Sequence, residues 1–275
     1  LNCENNQLTS LDVSQNTSLF TLKCSYNQLI FLNLSANIDL NQLGCSYNQL
    51  TSLDVSNSTF LNILNCNENQ LISLDVSQNI ALTILICGSF YGGGGNQLTN
   101  LDVSQNIALT TLQVDNNQLV NLDISQNNTL TILTCSNNQL TNLDISNNIA
   151  LTEFNCHNNQ LTNLNVTQNT ALSWLMFSYN LISSIDVSNN IALTDMWCGN
   201  NYLTSIDISS NTALTNLSCQ FNQLTLLELS QNILLEILHC SHNQLIVLDV
   251  SGQHFLNDFF CSYNDLTELN VKNGN

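Results

Sequence analysis

The chain has 275 residues, of which 43% are hydrophobic and only 8% are charged. Its 20 acidic residues are accompanied by two lysines and no arginine, which gives a formal net charge of −18 at pH 7. A surface with so few cations cannot neutralise phosphates, so nucleic acids and anionic membrane surfaces are disfavoured as partners. No apolar run is long enough to cross a bilayer, so direct membrane insertion is not expected either.

A repeat of 21 residues runs through the chain and is marked by cysteine, with Val114 and Phe177 in two positions where the cysteine is missing. The cysteines are Cys3, Cys24, Cys45, Cys66, Cys87, Cys135, Cys156, Cys198, Cys219, Cys240 and Cys261. A fixed period of this length indicates stacked coils that contact only their neighbours, instead of one globular core. In the coil from Leu19 to Ile38 the pattern reads L-x-x-L-x-C-x-x-N-x-L-x-x-L-x-L-x-x-N.

The first part of each coil is predicted to be a short strand. In Leu22-Lys23-Cys24 the alternation places leucine and cysteine on one face and lysine on the other. Stacked coils would pair these strands into a parallel sheet with about 4.8 Å between neighbours. In the coil around Cys45 the inward residues are predicted to be Leu43, Cys45 and Asn48, and the outward residues Gly44, Ser46 and Tyr47.

An asparagine stands three residues after each cysteine position, as at Asn27 and Asn48, except after Cys87, where the insertion moves it to Asn96. An inward-turned asparagine can satisfy backbone groups where the chain leaves the sheet, and its stacked neighbours can bridge successive coils. The role of this asparagine is therefore predicted to be structural. The return part of each coil reads Leu-x-x-Leu-Asp-Val-Ser, as in Leu50–Ser56, which favours a second short strand or an extended turn over a helix.

One coil carries six extra residues between Cys87 and Asn96, near positions 88–95. They include Phe90, Tyr91 and the glycines Gly92-Gly93-Gly94-Gly95. This segment is interpreted either as a loop insertion tolerated at a turn or as a protruding loop with two aromatic side chains for contacts. A third interpretation is that the four glycines stand in for undetermined side chains.

The repeat resembles the leucine-rich repeat pattern, with cysteine in place of its third leucine, over essentially the whole chain. Its short period and its cysteine are similar to the internalin J-like cysteine-ladder subclass of bacterial surface proteins, and Leu-Asp-Val-Ser-x-Asn repeats are typical of Bacteroidota-type surface proteins. The resemblance implies a mostly β, right-handed solenoid with a parallel sheet on its concave side and little or no helix. It also implies an extracellular or cell-surface location. Residues 1–275 are expected to form a single solenoid of about 13 coils.

Neither end of the chain carries the polar cap that solenoids need, so the sequence is interpreted as part of a longer protein. The cysteines are predicted to be buried free thiols, because their number is odd and parallel neighbours that point the same way are poorly placed for a disulfide. Val114 and Phe177 in the same position indicate that an apolar side chain is required there. No C-x-x-C pair is present, so a metal site at the cysteines is not expected.

A column of carboxylates follows the return leucines, and asparagine replaces the acid at Asn33, Asn165 and Asn270. Its members are Asp12, Asp54, Asp75, Asp102, Asp123, Asp144, Asp186, Asp207, Glu228 and Asp249. The asparagines indicate that a hydrogen-bond acceptor matters more than charge. Calcium held between neighbouring carboxylates is the alternative, and equal thermal unfolding in chelator and in millimolar calcium would exclude it.

The C-terminal half gathers large side chains at the outward positions of its strands, against a nearly constant framework. Exposed aromatic residues on one face indicate recognition of a protein or a carbohydrate, although some of them could shield the sheet or pack against a missing neighbour. The candidate ligand-binding residues are Trp174, Met176, Tyr179, Trp197, Phe221, His239, His242, Phe260 and Tyr263.

The sequence contains no nucleophile elbow, phosphate loop, His-Glu-x-x-His motif or paired catalytic carboxylates, so no enzymatic activity and no cofactor are expected. His239 and His242 are predicted to face outward while Cys240 faces inward, so a zinc site would need Asp258 or a partner protein to complete it. The predicted function is non-catalytic recognition at a bacterial cell surface, as an adhesin or ligand-binding ectodomain with a protein or glycan ligand. The alternative is a structural or accessory subunit of a larger cell-envelope assembly.

Overall fold

The computed structural model describes residues 1–89 and 95–272, which form a solenoid of parallel strands in coils of about 21 residues. Throughout these described residues there is no helix, and therefore none that could cross a membrane. The chain divides into two compact units, Leu1–Leu140 and Thr141–Asn275. The predicted mostly β solenoid of 21-residue coils is confirmed. That residues 1–275 form a single domain stays a prediction. Phe90, Tyr91 and Gly92 to Gly94 lie outside the described residues, so the interpretations of that insertion stay open.

The first unit contains six short strands that pair in chain order. They are β1 (Thr21–Lys23), β2 (Gln42–Gly44), β3 (Ile63–Asn65), β4 (Ile84–Ile86), β5 (Thr111–Gln113) and β6 (Ile132–Thr134). An isolated parallel bridge between Asn2 and Lys23 adds one further step before β1.

The second unit contains eight strands, of which six form the same kind of sheet and two pair separately on the return side. They are β7 (Glu153–Asn155), β8 (Trp174–Met176), β9 (Asp195–Trp197), β10 (Asn216–Ser218), β11 (Ile237–His239), β12 (Val247–Asp249), β13 (Asp258–Phe260) and β14 (Glu268–Asn270). Strand β11 pairs with β13, and β12 pairs with β14. The second return-side strand that the sequence allowed is therefore formed at this end of the chain.

The register of the strands follows the repeat. Leu22 pairs with Leu43 and Leu43 with Leu64, so the middle residue of each strand lies in one buried leucine column. Leu85 pairs with Leu112 across the longer coil, which shows that the insertion leaves the column in register. Because side chains alternate along a strand, the first and third strand residues point away from this core. These outward positions are the ones that differ from coil to coil.

The cysteine column runs beside the leucine column. Cys3 and Cys261 are half-buried, the other nine cysteines are buried, and all eleven are free thiols. Val114 and Phe177 complete the column and are fully buried as well. Burial raises the pKa of the Cys24 thiol to about 12. The prediction that these cysteines act as small buried hydrophobic residues is confirmed.

The asparagine that follows the cysteine position in each coil binds backbone groups of two coils, as predicted. The Nδ2 atom of Asn48 donates to the carbonyl oxygens of Cys45 and Cys24, both at 3.1 Å. Its Oδ1 atom accepts a hydrogen bond from the backbone N–H of Leu29 at 2.9 Å. The side chain therefore closes the bend after its own strand and ties it to the preceding coil.

The last asparagine of the repeat pattern forms a second buried column. The Nδ2 atom of Asn37, which is fully buried, donates to the carbonyl oxygens of Val13 at 3.1 Å and Asn16 at 2.9 Å. The same two bonds recur in both units at Asn79, Asn106, Asn127, Asn169, Asn190, Asn211 and Asn232. Gln253 takes the place of asparagine in a later coil and donates to Leu229. Two amide columns therefore hold most coils at opposite bends, and Ser58 replaces the second amide in one coil.

Candidate functional site

The residue two places after the cysteine position adopts a left-handed backbone conformation in twelve of the described coils, with φ between 52° and 57°, and in one of them it is Glu68. Asparagine tolerates this conformation, but a bulky side chain there is an outlier. Asparagine occupies it at Asn5, Asn116, Asn137, Asn158 and Asn200. An aromatic or histidine side chain occupies it at Tyr26, Tyr47, Tyr179, Phe221, His242 and Tyr263. Strand alternation does not predict this strained backbone, because the position holds asparagine in some coils and a bulky side chain in others.

In the second unit three of these left-handed residues form a continuous stack. The ring centroids of Phe221 and His242 lie 4.0 Å apart, and those of His242 and Tyr263 lie 4.2 Å apart, with 11° between the ring planes in each pair. Tyr179 is separated from this stack by Asn200 and instead contacts the edge of His157 at 5.1 Å. Contact between rings of successive coils offsets part of the cost of the left-handed backbone.

A second row of candidate residues occupies the third strand position. Met176 pairs with Trp197, and His239 pairs with Phe260, whose ring lies 4.7 Å from the histidine ring. Ser218 on β10 stands between the two pairs. Trp174 lies on the first position of β8, two residues before Met176 and on the same face of the strand. The structure therefore places the nine candidate residues in three columns on one face of the second unit.

We call these nine candidate residues the aromatic surface; they are Trp174, Met176, Tyr179, Trp197, Phe221, His239, His242, Phe260 and Tyr263. Four of them are exposed: Tyr179 by 53%, Phe221 by 47%, Phe260 by 56% and Tyr263 by 74%. The other five are half-buried. All nine can therefore contact a partner, and none belongs to the buried core.

Carboxylates lie among the rings of the aromatic surface. The Nε2 atom of His239 lies 3.0 Å from Oδ2 of Asp258. Asp195 accepts hydrogen bonds from the hydroxyl of Thr194 and the amide of Asn216. His242 is held in the ring stack instead, so the two histidines do not converge. Among residues 1–89 and 95–272, no three His, Cys, Asp or Glu side chains are grouped closely enough to hold a metal ion.

The column of return-side carboxylates forms a series of identical turns. Oδ1 of Asp54 accepts hydrogen bonds from the backbone N–H of Ser56 at 2.9 Å and from its hydroxyl at 2.6 Å. These bonds, the one from the hydroxyl first, lower the pKa of the Asp54 carboxyl. Asn33 and Asn165 make the same backbone bond at 3.0 Å. This confirms that the position accepts a hydrogen bond in each of these coils, while calcium binding there stays the untested alternative.

The lowered pKa fixes the sign of the acid response. A carboxyl whose pKa is lower in the folded chain than in the unfolded chain stabilises the fold above the unfolded pKa, about 3.9, and this contribution is lost as pH falls through the folded pKa.

We expect Asp54→Asn to keep its thermal midpoint at neutral pH, because Asn33 makes the same turn. We expect Asp54→Ala to lower it by roughly 1–3 °C, since both exposed hydrogen bonds from Ser56 are lost. Circular dichroism melts at neutral pH check both, and equal melts for the two variants would contradict the role of the acceptor.

A buried carboxylate in the first unit was missed by the sequence reasoning. Asp115 is fully buried and accepts hydrogen bonds from the backbone N–H of Ser136 at 2.8 Å and from the hydroxyls of Ser136 and Thr134. Burial raises the pKa of Asp115, while these hydrogen bonds oppose the shift. Gly88 packs against the Asp115 backbone so closely that a Cβ atom there would lie 2.1 Å from the Asp115 carbonyl oxygen. Asp115 therefore has a structural role: its carboxylate binds the following coil, and its backbone packs against the coil that carries the insertion.

One outward prediction in the first unit is wrong. Ser46 is buried, and its hydroxyl donates to the hydroxyl of Ser25 at 3.0 Å. The strand ends before this residue and the backbone turns toward its left-handed position, so strand alternation no longer applies to it. Gly44 and Tyr47 are outward as predicted, and the Tyr47 ring stacks on Tyr26 with centroids 4.2 Å apart and 9° between the planes.

The solved structures most informative for this architecture are themselves built of leucine-rich repeats. The functional domain of InlJ from Listeria monocytogenes, which includes a cysteine ladder, is 33% identical with a TM-score of 0.66. The match covers 93% of this chain and 65% of that chain, so this chain spans slightly less than two thirds of the InlJ structure. The chain has the leucine-rich repeat fold, and its regularly spaced cysteines form a ladder.

Two further solved structures are similar to this leucine-rich repeat protein. A leucine-rich repeat protein of Leptospira interrogans has a TM-score of 0.85 at 24% identity, covering 95% of this chain and 71% of that one, which supports the fold alone. YopM, a leucine-rich effector protein from Yersinia pestis, has a TM-score of 0.74 at 25% identity, covering 98% and 78%. No family model and no curated protein matches the sequence.

Proposed function

We propose that this leucine-rich repeat protein is a non-catalytic scaffold that binds another protein through the aromatic surface of its second unit. The observation that carries the proposal is the contrast between a constant buried framework and outward positions that vary. Aromatic and histidine residues at those positions include four in a left-handed conformation that asparagine adopts at lower cost, at Tyr179, Phe221, His242 and Tyr263. Strain of this kind supports a role outside folding.

The dimensions of the aromatic surface favour a protein over a small ligand. It extends from β8 to β13, which is four strand spacings or about 19 Å. Tryptophan and other aromatic side chains with an apolar body and a polar edge are the residues that contribute most to protein interfaces. A glycan ligand for this surface is the alternative, and the experiment below separates the two.

We place this activity outside the cell, on a bacterial surface, as an adhesin or ligand-binding ectodomain. The likeness to InlJ supports this location, and the thiol chemistry is compatible with it. Nine of the eleven cysteines are buried, and only a thiolate on an accessible sulfur oxidises readily. Free thiols can therefore persist in an oxidising environment without forming disulfides.

The test compares the wild-type chain with a variant in which Trp174, Trp197 and Phe260 are all replaced by alanine. Both are measured by biolayer interferometry against immobilised fibronectin, laminin, collagen and mucin, and against the deglycosylated form of each. We expect at least one protein to bind with or without its glycans, and the triple variant to weaken binding by tenfold or more. Ile191→Ala, an exposed residue outside the aromatic surface, is the matched control. Undiminished binding by the triple variant, or loss of binding on deglycosylation, would overturn the proposal.

The second candidate function is a structural or accessory subunit of an envelope assembly, in which the aromatic surface docks permanently on another subunit. The same triple variant separates the two functions when it is placed in the producing bacterium. If the envelope assembly fails while binding to the immobilised proteins survives, the structural function is correct and the adhesin function is not.

A further inference from the structure

An open cavity of about 390 Å³ lies on the outward face of the first unit, over strands β1, β2 and β3. Its size falls within the range of roughly 300–1,000 Å³ that is usual for small-molecule sites. Its lining combines an ammonium group, a carboxylate, side-chain amides, hydroxyls and aromatic rings. The residues that carry the argument are Glu4, Lys23, Tyr26, Gln42, Gly44 and Asn65.

The cavity exists because one side chain is missing. Gly44 occupies the third position of β2, and its neighbours at that position are Lys23 on β1 and Asn65 on β3. The backbone at Gly44 does not adopt a positive φ, so no turn requires glycine here. A Cβ atom at Gly44 would meet only the Ser25 hydroxyl oxygen, at 3.5 Å, which is an ordinary contact. Glycine therefore opens the floor of the cavity without serving the fold.

The polar groups around this floor include both hydrogen-bond donors and hydrogen-bond acceptors. The ammonium of Lys23 only donates, the ionised Glu4 carboxylate only accepts, and the Gln42 and Asn65 amides do both. Lys23 is the one basic side chain of the first unit. Among the described residues, Lys23 and Glu4 form no ion pair with each other, so the Lys23 ammonium and the Glu4 carboxylate lie more than 4 Å apart. Their opposite charges leave the cavity close to neutral.

An aromatic wall closes one side of the cavity. Tyr26 and Tyr47 are stacked on each other, and Tyr26 remains 49% exposed. The face of an aromatic ring is electron-rich and attracts the weakly positive C–H groups of an apolar ligand surface. A ligand with hydroxyls on its rim and a C–H face would match the amides, the two charges and the ring together.

We propose that this cavity binds one neutral sugar residue of a glycan. Sugar hydroxyls both donate and accept, so they can satisfy Lys23 and Glu4 at the same time, while the C–H face of the pyranose ring packs on Tyr26. A net charge near zero in the cavity, within a chain of net charge −18, disfavours an acidic ligand. The site is separate from the aromatic surface and does not depend on its function.

The test fills the floor of the cavity. Gly44→Ile introduces a side chain that the same strand position already carries at Ile86, so the fold is expected to persist. Gln113→Ile makes the same change at the same strand position of β5, outside the cavity, and is the matched control. The neutral probes are the methyl glycosides of glucose, galactose, mannose and N-acetylglucosamine, and the acidic probe is the methyl glycoside of galacturonate. Each is titrated into the isotope-labelled chain and followed by amide chemical shifts.

We expect at least one glycoside to bind with a millimolar Kd, Gly44→Ile to weaken it at least tenfold, and Gln113→Ile to leave it unchanged. Tyr26→Asn, which installs the residue that Asn5 carries at the same left-handed position, should weaken binding while preserving the fold. Circular dichroism melts establish that each variant is folded. No shift with any glycoside at tens of millimolar, full binding by folded Gly44→Ile, or binding of galacturonate in preference to the neutral sugars would overturn the proposal.

Discussion

Replacement of Asn222 by alanine is expected to lower the free energy of unfolding by about 3–5 kcal/mol, because buried backbone groups that its side chain satisfies would lose their partners. Its Nδ2 atom donates to the carbonyl oxygens of Cys198 and Cys219, both at 3.1 Å, and its Oδ1 atom accepts from the N–H of Leu203 at 2.9 Å. The Asn222 position is only 9% exposed, so water cannot replace these bonds without opening the coil.

The measurement is urea unfolding followed by tryptophan fluorescence, since Trp174 and Trp197 are the two tryptophans of the chain and both lie in the second unit. Asn163→Ala, an exposed asparagine of the same unit, is the control and should change stability by less than about 0.5 kcal/mol. A loss below about 1 kcal/mol for Asn222→Ala would show that the amide column is dispensable and that leucine burial alone holds the coil.

Replacement of Phe177 by cysteine is expected to destabilise the chain by about 2–4 kcal/mol, although cysteine is the commonest residue of that column. Phe177 is fully buried, and it is one of the two largest fully buried side chains of the described residues. The smaller sulfur leaves a cavity that Cys156 and Cys198 in the neighbouring coils cannot fill. The local packing therefore outweighs the preference of the repeat.

The matched change is Cys198→Val, in the next coil of the same column. Val114 shows that the column accepts valine, so the expected change is below about 1.5 kcal/mol. Both variants are compared with the wild type by urea unfolding under reducing conditions. A stability of Phe177→Cys equal to that of the wild type would contradict tight packing in this column.

The sequence predicted the inward half of each coil well. Leu43, Cys45 and Asn48 recur with the period, and a residue that must fit between identical neighbours has one environment. Their burial and the hydrogen bonds of Asn48 follow from strand alternation and the donor and acceptor inventory of an amide. The acceptor role of the Asp54 position was also predictable, because asparagine replaces the acid at Asn33.

The outward half was predicted less completely. Ser46 was assigned to the surface because alternation was extended one residue past the end of β2, where the backbone turns. The stacking of Phe221 on His242 depends on a left-handed backbone that the alternation pattern does not encode. The cavity above Gly44 depends on three adjacent coils at once, so no single repeat reveals it. Periodicity describes what the coils share, whereas the candidate sites arise from what they do not share.

The uninterrupted leucine register across the six-residue insertion bears on how such a chain can change over generations. Leu85 and Leu112 remain partners although 27 residues separate them, because the extra residues leave the strand and its amide bonds in place. Unequal recombination that adds or removes one 21-residue unit would likewise join compatible surfaces. The sheet of such a protein can therefore become longer or shorter by about 4.8 Å per repeat unit, and the contacts between neighbouring coils stay the same.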